Sequence, residues 1–359
     1  MRLELKIDST KMIVKKYILL ILSILAFAIN AIAQDCYSDN RTQGLSAYNS
    51  GKYAEAKKYF QSAQNCDMKP RQNDLVDWIG KCNEKMRQTQ STTIQGELQG
   101  VFSVSSTKKV RFSKGNLQYQ ASTNTWKFAE QQWDIIGSQN SFRHSWDYGT
   151  ITGSDNANIS VSYNGWIDLF GWGTSGFNGK YPYMTSEQDE DYGKGQNPIS
   201  GTNYDWGIYN KISNGGNTKG IWRTLTYSEW DYMLNKRKNA LNKRGLACVN
   251  KINGIVLLPD AWEQPNDLTF MNDNHNYSDN TYTIADWLKM ESNGAVFLPA
   301  AGTRLGRSVS YVNDTCEYWS SSVLGTIYAY RLKVYETQIF ILGNHRYDGR
   351  AVRLVKDVK

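Results

Sequence analysis

Histidine is nearly missing from this 359-residue chain: His144, His275 and His345 are its three, and they lie far apart. The five cysteines form no CxxC pair. Neither residue type clusters with the spacing a zinc site needs. Past residue 33 no long apolar run occurs, so no membrane-spanning helix is expected there. Strong charge is missing too. The formal net charge is +7, and the first 33 residues hold five basic side chains against two acidic ones. The excess over the remainder is too small to point to nucleic acid.

What is present is aromatic. Phe, Trp and Tyr make up 13% of the chain, with 12 Trp, 23 Tyr and 29 Gly. That composition can bury a sizeable core and excludes disorder for most of the chain. The length predicts two domains.

At the N-terminus, Lys15-Lys16 precede a short apolar run, 17–29, and then Ala31-Ile32-Ala33. A basic start, a short apolar stretch and small residues at the cut predict a signal peptide over 1–33. Met12 is an alternative start. The protein is therefore expected to be exported, to the periplasm, the outer surface or the medium, with no membrane span after cleavage. Asp35 before Cys36 argues against a lipid anchor. Export places Cys36, Cys66, Cys82, Cys248 and Cys316 in an oxidising compartment.

Residues 34–92 read as helices. Tyr53, Ala56, Phe60 and Ala63 share one helical face, and Gly51 ends the preceding helix. Together with Gly44 this spacing resembles a tetratricopeptide repeat, with Pro70 and Gly80 delayed by two residues. A third helix, from about Asn73 to Met86, turns Leu75, Trp78, Ile79 and Cys82 inward. One and a half repeats bury little, so a disulfide is expected to help, with Cys66–Cys82 the favoured pair. The module serves as a partner groove or as a spacer. Residues 93–100 are polar and aperiodic and read as a linker.

From 101 to 357 the pattern is α+β. Val110/Phe112, Leu117/Tyr119 and Trp126/Phe128 alternate as short antiparallel strands, with a turn at Asn124. Gly-, Asn- and Ser-rich loops dominate 138–220. Two helices are expected, one opened by the capping box Thr226…Glu229 and one over 283–288. Residues 254–260 and 293–302 are buried strands.

The segment Trp222-Arg223-Thr224-Leu225-Thr226-Tyr227-Ser228-Glu229-Trp230 resembles a signature of the formylglycine-generating (sulfatase-modifying) fold, with Thr224-Leu225 where that family has leucine-proline. Asp168-Leu169-Phe170-Gly171-Trp172-Gly173, Tyr318-Trp319-Ser320-Ser321-Ser322 and Gly349-Arg350-Ala351-Val352-Arg353-Leu354-Val355 complete a set. It resembles the Fibrobacter succinogenes major paralogous domain, which is similar to the C-type-lectin-like fold. The resemblance covers nearly all of 101–357. The related enzymes hold copper on a nearby cysteine pair. Here Cys316 and Cys248 lie in different segments, so no enzyme is expected, and cysteine-dependent oxidation stays the alternative. The acidic run Asp189-Glu190-Asp191 offers carboxylates to calcium but matches no defined cage, so no cofactor is expected.

The informative stretch is 323–347. Leu332, Val334, Ile339 and Ile341 form an aliphatic, inward row. The opposite row, Arg331, Lys333, Tyr335, Gln338, Phe340 and Leu342, has no chemical theme and predicts a contact surface. Ile327, Tyr328, His345 and Tyr347 flank it, and Glu336 adds a hydrogen-bonding group. The plainer alternative is that a loop covers Phe340 and Leu342. The pattern resembles target proteins of diversity-generating retroelements, which vary scattered residues near the C-terminus on a lectin-like scaffold. The expected function is reversible binding of a protein or glycan ligand. A structural surface component assembled through the helical module is the other option.

Overall fold

The computed structural model describes residues 36–67, 69–70, 73–92, 95–137, 155–157, 160–183, 197–335 and 338–358. The expected signal peptide, the acidic run 189–191 and Glu336 lie outside them. Two compact units emerge, Met1–Thr93 and Ile94–Lys359.

The first unit is helical: α1 spans 36–49, α2 Tyr53–Gln64 and α3 Leu75–Thr92. Gly51, at a φ of 76°, ends α1. Its N–H donates to Tyr48 O and that of Lys52 to Ala47 O, which turns the chain back on itself. Ala47, Ala56, Phe60, Ala63, Leu75 and Cys82 form the core. Gly44 allows close approach, since a Cβ there would sit 2.6 Å from the Phe60 ring. Phe60 in turn stacks on Trp78 at 5.6 Å.

The disulfide corrects the expected pairing. Cys66 bonds Cys36, with Cα atoms 6.2 Å apart, and Cys82 remains a buried thiol. Antiparallel packing brings the end of α2 beside the start of α1, whereas the inward face of α3 carries Cys82 into the core. The third helix also runs six residues past its expected end at Met86.

The second unit is mixed α+β, with small sheets and few helices. Strands β1 (Phe102–Ser103) and β2 (Lys109–Phe112) form a sheet with the last strand, β14 (Val355–Asp357). β3 (Leu117–Gln120) and β4 (Thr125–Phe128) make the hairpin expected around Asn124. β5 (Arg244–Val249), β6 (Ile252–Leu257), β7 (Thr281–Tyr282) and β8 (Val296–Pro299) assemble in the order β7-β5-β6-β8. β9 (Thr303–Leu305) pairs β10 (Ser308–Ser310). β11 (Glu317–Leu324), β12 (Tyr328–Tyr335) and β13 (Gln338–His345) form an antiparallel sheet with β13 at its edge.

Among the described residues three α-helices join them. α4 (Trp206–Tyr209), unforeseen in the sequence, is capped by Asp205. α5 (Tyr227–Asp231) opens on the Thr226/Glu229 capping box and α6 (Ile284–Ser292) on a second, Thr283/Asp286.

The expected linker is part of this unit from Glu97 onward. Glu97 bridges Ser113, and Leu98 enters the core through its bond to Phe112 O. Leu98 needs burial, and the edge at Phe112 offers its N–H an acceptor, so a polar composition misled.

The recognisable motifs interlock. Trp172 Nε1 donates to Ser320 O at 2.8 Å, and Trp319 Nε1 to Phe170 O at 2.7 Å. Arg223 makes a two-pronged bond to Glu229, 2.8 Å on each arm, and reaches Asp357 as well. Arg353, fully buried, donates to Gln132 Oε1, which also accepts the Phe297 N–H. These motif residues hold the frame together.

Candidate functional site

The sheet β11-β12-β13 positions the site. Eight unbroken pairs, from Tyr328↔His345 to Tyr335↔Gln338, set which side chains share a face. Leu332 is fully buried, and Val334, Ile339 and Ile341 pack on the core, as the alternation predicted. On the other face β13 exposes Gln338, Phe340 and Leu342; the two apolar side chains are 39% exposed.

The expected surface does not hold together as one patch. Arg331 is buried, so its role as an exposed hydrogen-bonding group is corrected. Its Nε donates to Glu317 at 2.5 Å and its Nη1 to Gly343 O at 2.6 Å. Lys333 also pairs with Glu317, at 3.2 Å. Tyr328 and His345 fall on the face opposite Phe340, because the register places them with Leu332. There Tyr328, His345 and Tyr347 form an aromatic row, with ring centroids 4.7 and 4.8 Å apart. Ile327 is half-buried in the β11–β12 turn, where its carbonyl accepts the Arg346 N–H. Tyr335 has a described backbone only, paired with Gln338.

The structure instead gathers a cleft of about 500 Å³ against this sheet. Glu317, Lys333, Asn344 and Arg350 line one side, and His275, Tyr277, Tyr311 and Asp314 the other. Of the eleven residues expected from the sequence, Lys333 alone is among the liners.

Electrostatics fix the sheet side. Glu317 accepts from Arg331 and forms ion pairs with Lys333 and Arg350, and those cations hold its carboxyl below the usual range despite burial. Arg350 also donates to Asp348 at 2.9 Å. Burial pushes the Asp348 carboxyl up, and Arg350 opposes the shift.

The loop side is equally constrained. Tyr277 OH donates to Asp314 O at 3.0 Å. Tyr311 and Asn313 both adopt left-handed backbone, φ 59° and 61°. Asn313 Oδ1 accepts the Asn253 N–H at 2.6 Å, which ties the turn to β6. Donors, acceptors and rings thus converge on a mostly pre-formed space within the size range of ligand sites.

A second cleft, about 400 Å³, runs beside residues 338–341 of β13, with His275 on its far wall.

The cysteines give no support to the oxidase alternative. Cys316 is completely buried and donates to Leu298 O at 3.2 Å; burial pushes its thiol well up. Burial raises the Cys248 thiol too. Thiolate chemistry needs the opposite shift. Among the described residues no group of three or more His, Cys, Asp or Glu is placed to hold a metal ion, and no helix is long and apolar enough to cross a membrane. Compared with known proteins, the chain matches no family model, no curated protein and no solved structure.

Proposed function

We propose that the chain is an exported, non-catalytic binding protein. In this reading a C-type-lectin-like domain, preceded by a tetratricopeptide-like module, recognises a protein or glycan ligand reversibly. The site is the 500 Å³ cleft against β12 and β13. One observation carries the reading: both walls are pinned by buried contacts before any ligand arrives, Glu317 by three cations and the 311–315 turn by Asn313. Pre-organised polar walls reduce the ordering cost of binding. The resemblance to targets of diversity-generating retroelements belongs to the same proposal. It predicts a near-copy of the coding DNA nearby that differs only at adenines.

The test is an array of glycans and cell-surface proteins, probed with the wild type and with His275→Ala/Tyr311→Ala. Both residues line the cleft without entering the buried ion network. Ligands bound by the wild type should be lost to the variant while thermal unfolding is unchanged. Equal binding by both would move recognition away from the cleft.

A further inference from the structure

β13 is an edge strand of a kind folded proteins normally avoid. It runs eight residues, Gln338 to His345, and contains no Lys, Arg, Asp, Glu or Pro. No bulge interrupts its register with β12. Among the described residues no strand pairs with its outer side. Phe340 and Leu342 stand exposed on it. Long, uncharged, apolar edges are templates for another strand, and proteins usually blunt them with charge, proline or a bulge. None of these devices is present.

We propose that the occupant is the β13 strand of a second copy of this chain, related by a two-fold axis through Ile341. The order of side chains supports this partner. Along one face the row reads Gln338, Phe340, Leu342, Asn344. An antiparallel two-fold at Ile341 lays Phe340 of one copy opposite Leu342 of the other, and Gln338 opposite Asn344. Apolar residues then meet apolar ones and amides meet amides. The strand carries no carboxylate, lysine or arginine, so the axis brings no such charge against its like, a clash that would destabilise a cross-strand pair. The contact is isologous and closes at two copies, as a soluble assembly requires. Beside residues 338–341 lies a cleft that Tyr227, Asp231, Asn235, Arg244 and Asp273 also line, so the free stretch of edge centres on Ile341 to Asn344. Two three-stranded sheets would become one of six strands. This inference stands apart from the ligand-binding reading, since self-association needs no ligand.

Sedimentation of the exported chain tests it. The wild type should run at twice the chain mass. Phe340→Lys/Leu342→Lys sets like charges opposite each other at both symmetric pairs and should run as a monomer. Phe340→Lys/Leu342→Glu sets opposite charges there and should regain the dimer. Circular dichroism melting confirms that each variant folds. On the wild type itself, amide exchange within 338–344 should slow as concentration rises. A wild type that stays monomeric up to its solubility limit overturns the proposal, as does exchange at β13 independent of concentration. So does a mixed-charge variant that remains monomeric while folded, or an edge that takes up an unrelated extended peptide in preference to itself.

Discussion

Asp168 is fully buried, and among the described residues no cation lies against it. Its carboxylate accepts from Ile136 N and Asn156 Nδ2, yet burial outweighs both bonds and pushes its pKa up to about 7. Asp205, the cap of α4, is pushed the same way, to about 6. A carboxyl whose folded pKa is raised binds its proton more tightly folded than unfolded. Its ionisation therefore costs stability as pH climbs from about 4 to 7, by roughly 4 kcal/mol for Asp168 taken alone. Below that window both states are protonated and the difference vanishes. Asp168→Asn removes the titration. The urea midpoint of the wild type should fall more steeply than the variant's between pH 4 and 8. Parallel curves would show that the group does not titrate in this range.

At this same scale the sequence was least readable. An arginine in an alternating strand looks like an outward residue, yet Arg331 is buried. Its burial depends on Glu317 across the sheet, whose carboxylate is also held by Arg350, far along the chain. Alternation in one strand carries no information about either partner. For the same reason Glu317, Asn344, Tyr277 and Asp314 gave no local sign that they line one cleft. Tyr311 gave none either, since its left-handed backbone shows only in three dimensions.

Elements were more legible, because their causes are local. The Thr226…Glu229 spacing announced α5, and the structure shows both halves of the box: Thr226 Oγ1 accepts from Glu229 N, and Glu229 accepts from Thr226 N. Losing such a cap costs about 1 kcal/mol. Thr226→Ala should lower unfolding free energy in urea by about that amount, and Thr226→Ser should restore most of it. Equal stability of all three proteins would mean that tertiary packing alone holds α5. The aliphatic row Leu332, Val334, Ile339, Ile341 was readable on the same grounds, since period-two alternation and a buried face are one signal. The two short hairpin strands around Asn124 were too, because a left-handed asparagine, φ 48°, marks the turn. Register then decided what alternation could not: it sent Tyr328 and His345 to the face away from Phe340.

For the molecule as a whole, stability rests on different devices in the two units. The helical unit has a small core and closes a loop with Cys36–Cys66, 30 residues apart. Chain-entropy arithmetic for a loop of that length gives about 3–4 kcal/mol, a large share of what so small a unit commands. Cys36→Ser, or reduction under native conditions, should open proteolytic sites within 36–92 while leaving the larger unit resistant. Cleavage spread evenly over both would contradict their independence. The larger unit relies on contacts of long sequence separation: β14 pairs β2, and Arg353 reaches Gln132. Such contacts draw residues 94–100, expected as a linker, into the larger unit, while the expected end of the helical module at 92 lies one residue from the division at Thr93.

The pairing of β14 with β2, with Glu97 bridged to Ser113 beside it, brings segments far apart in sequence together. Lys356 Nζ lies 2.9 Å from Glu97 Oε2, so entry and exit sit side by side. A module whose two termini touch can be spliced into a single surface loop of an unrelated carrier without stretching either strand of the joint. This geometry suits it to be passed between architectures as a cassette.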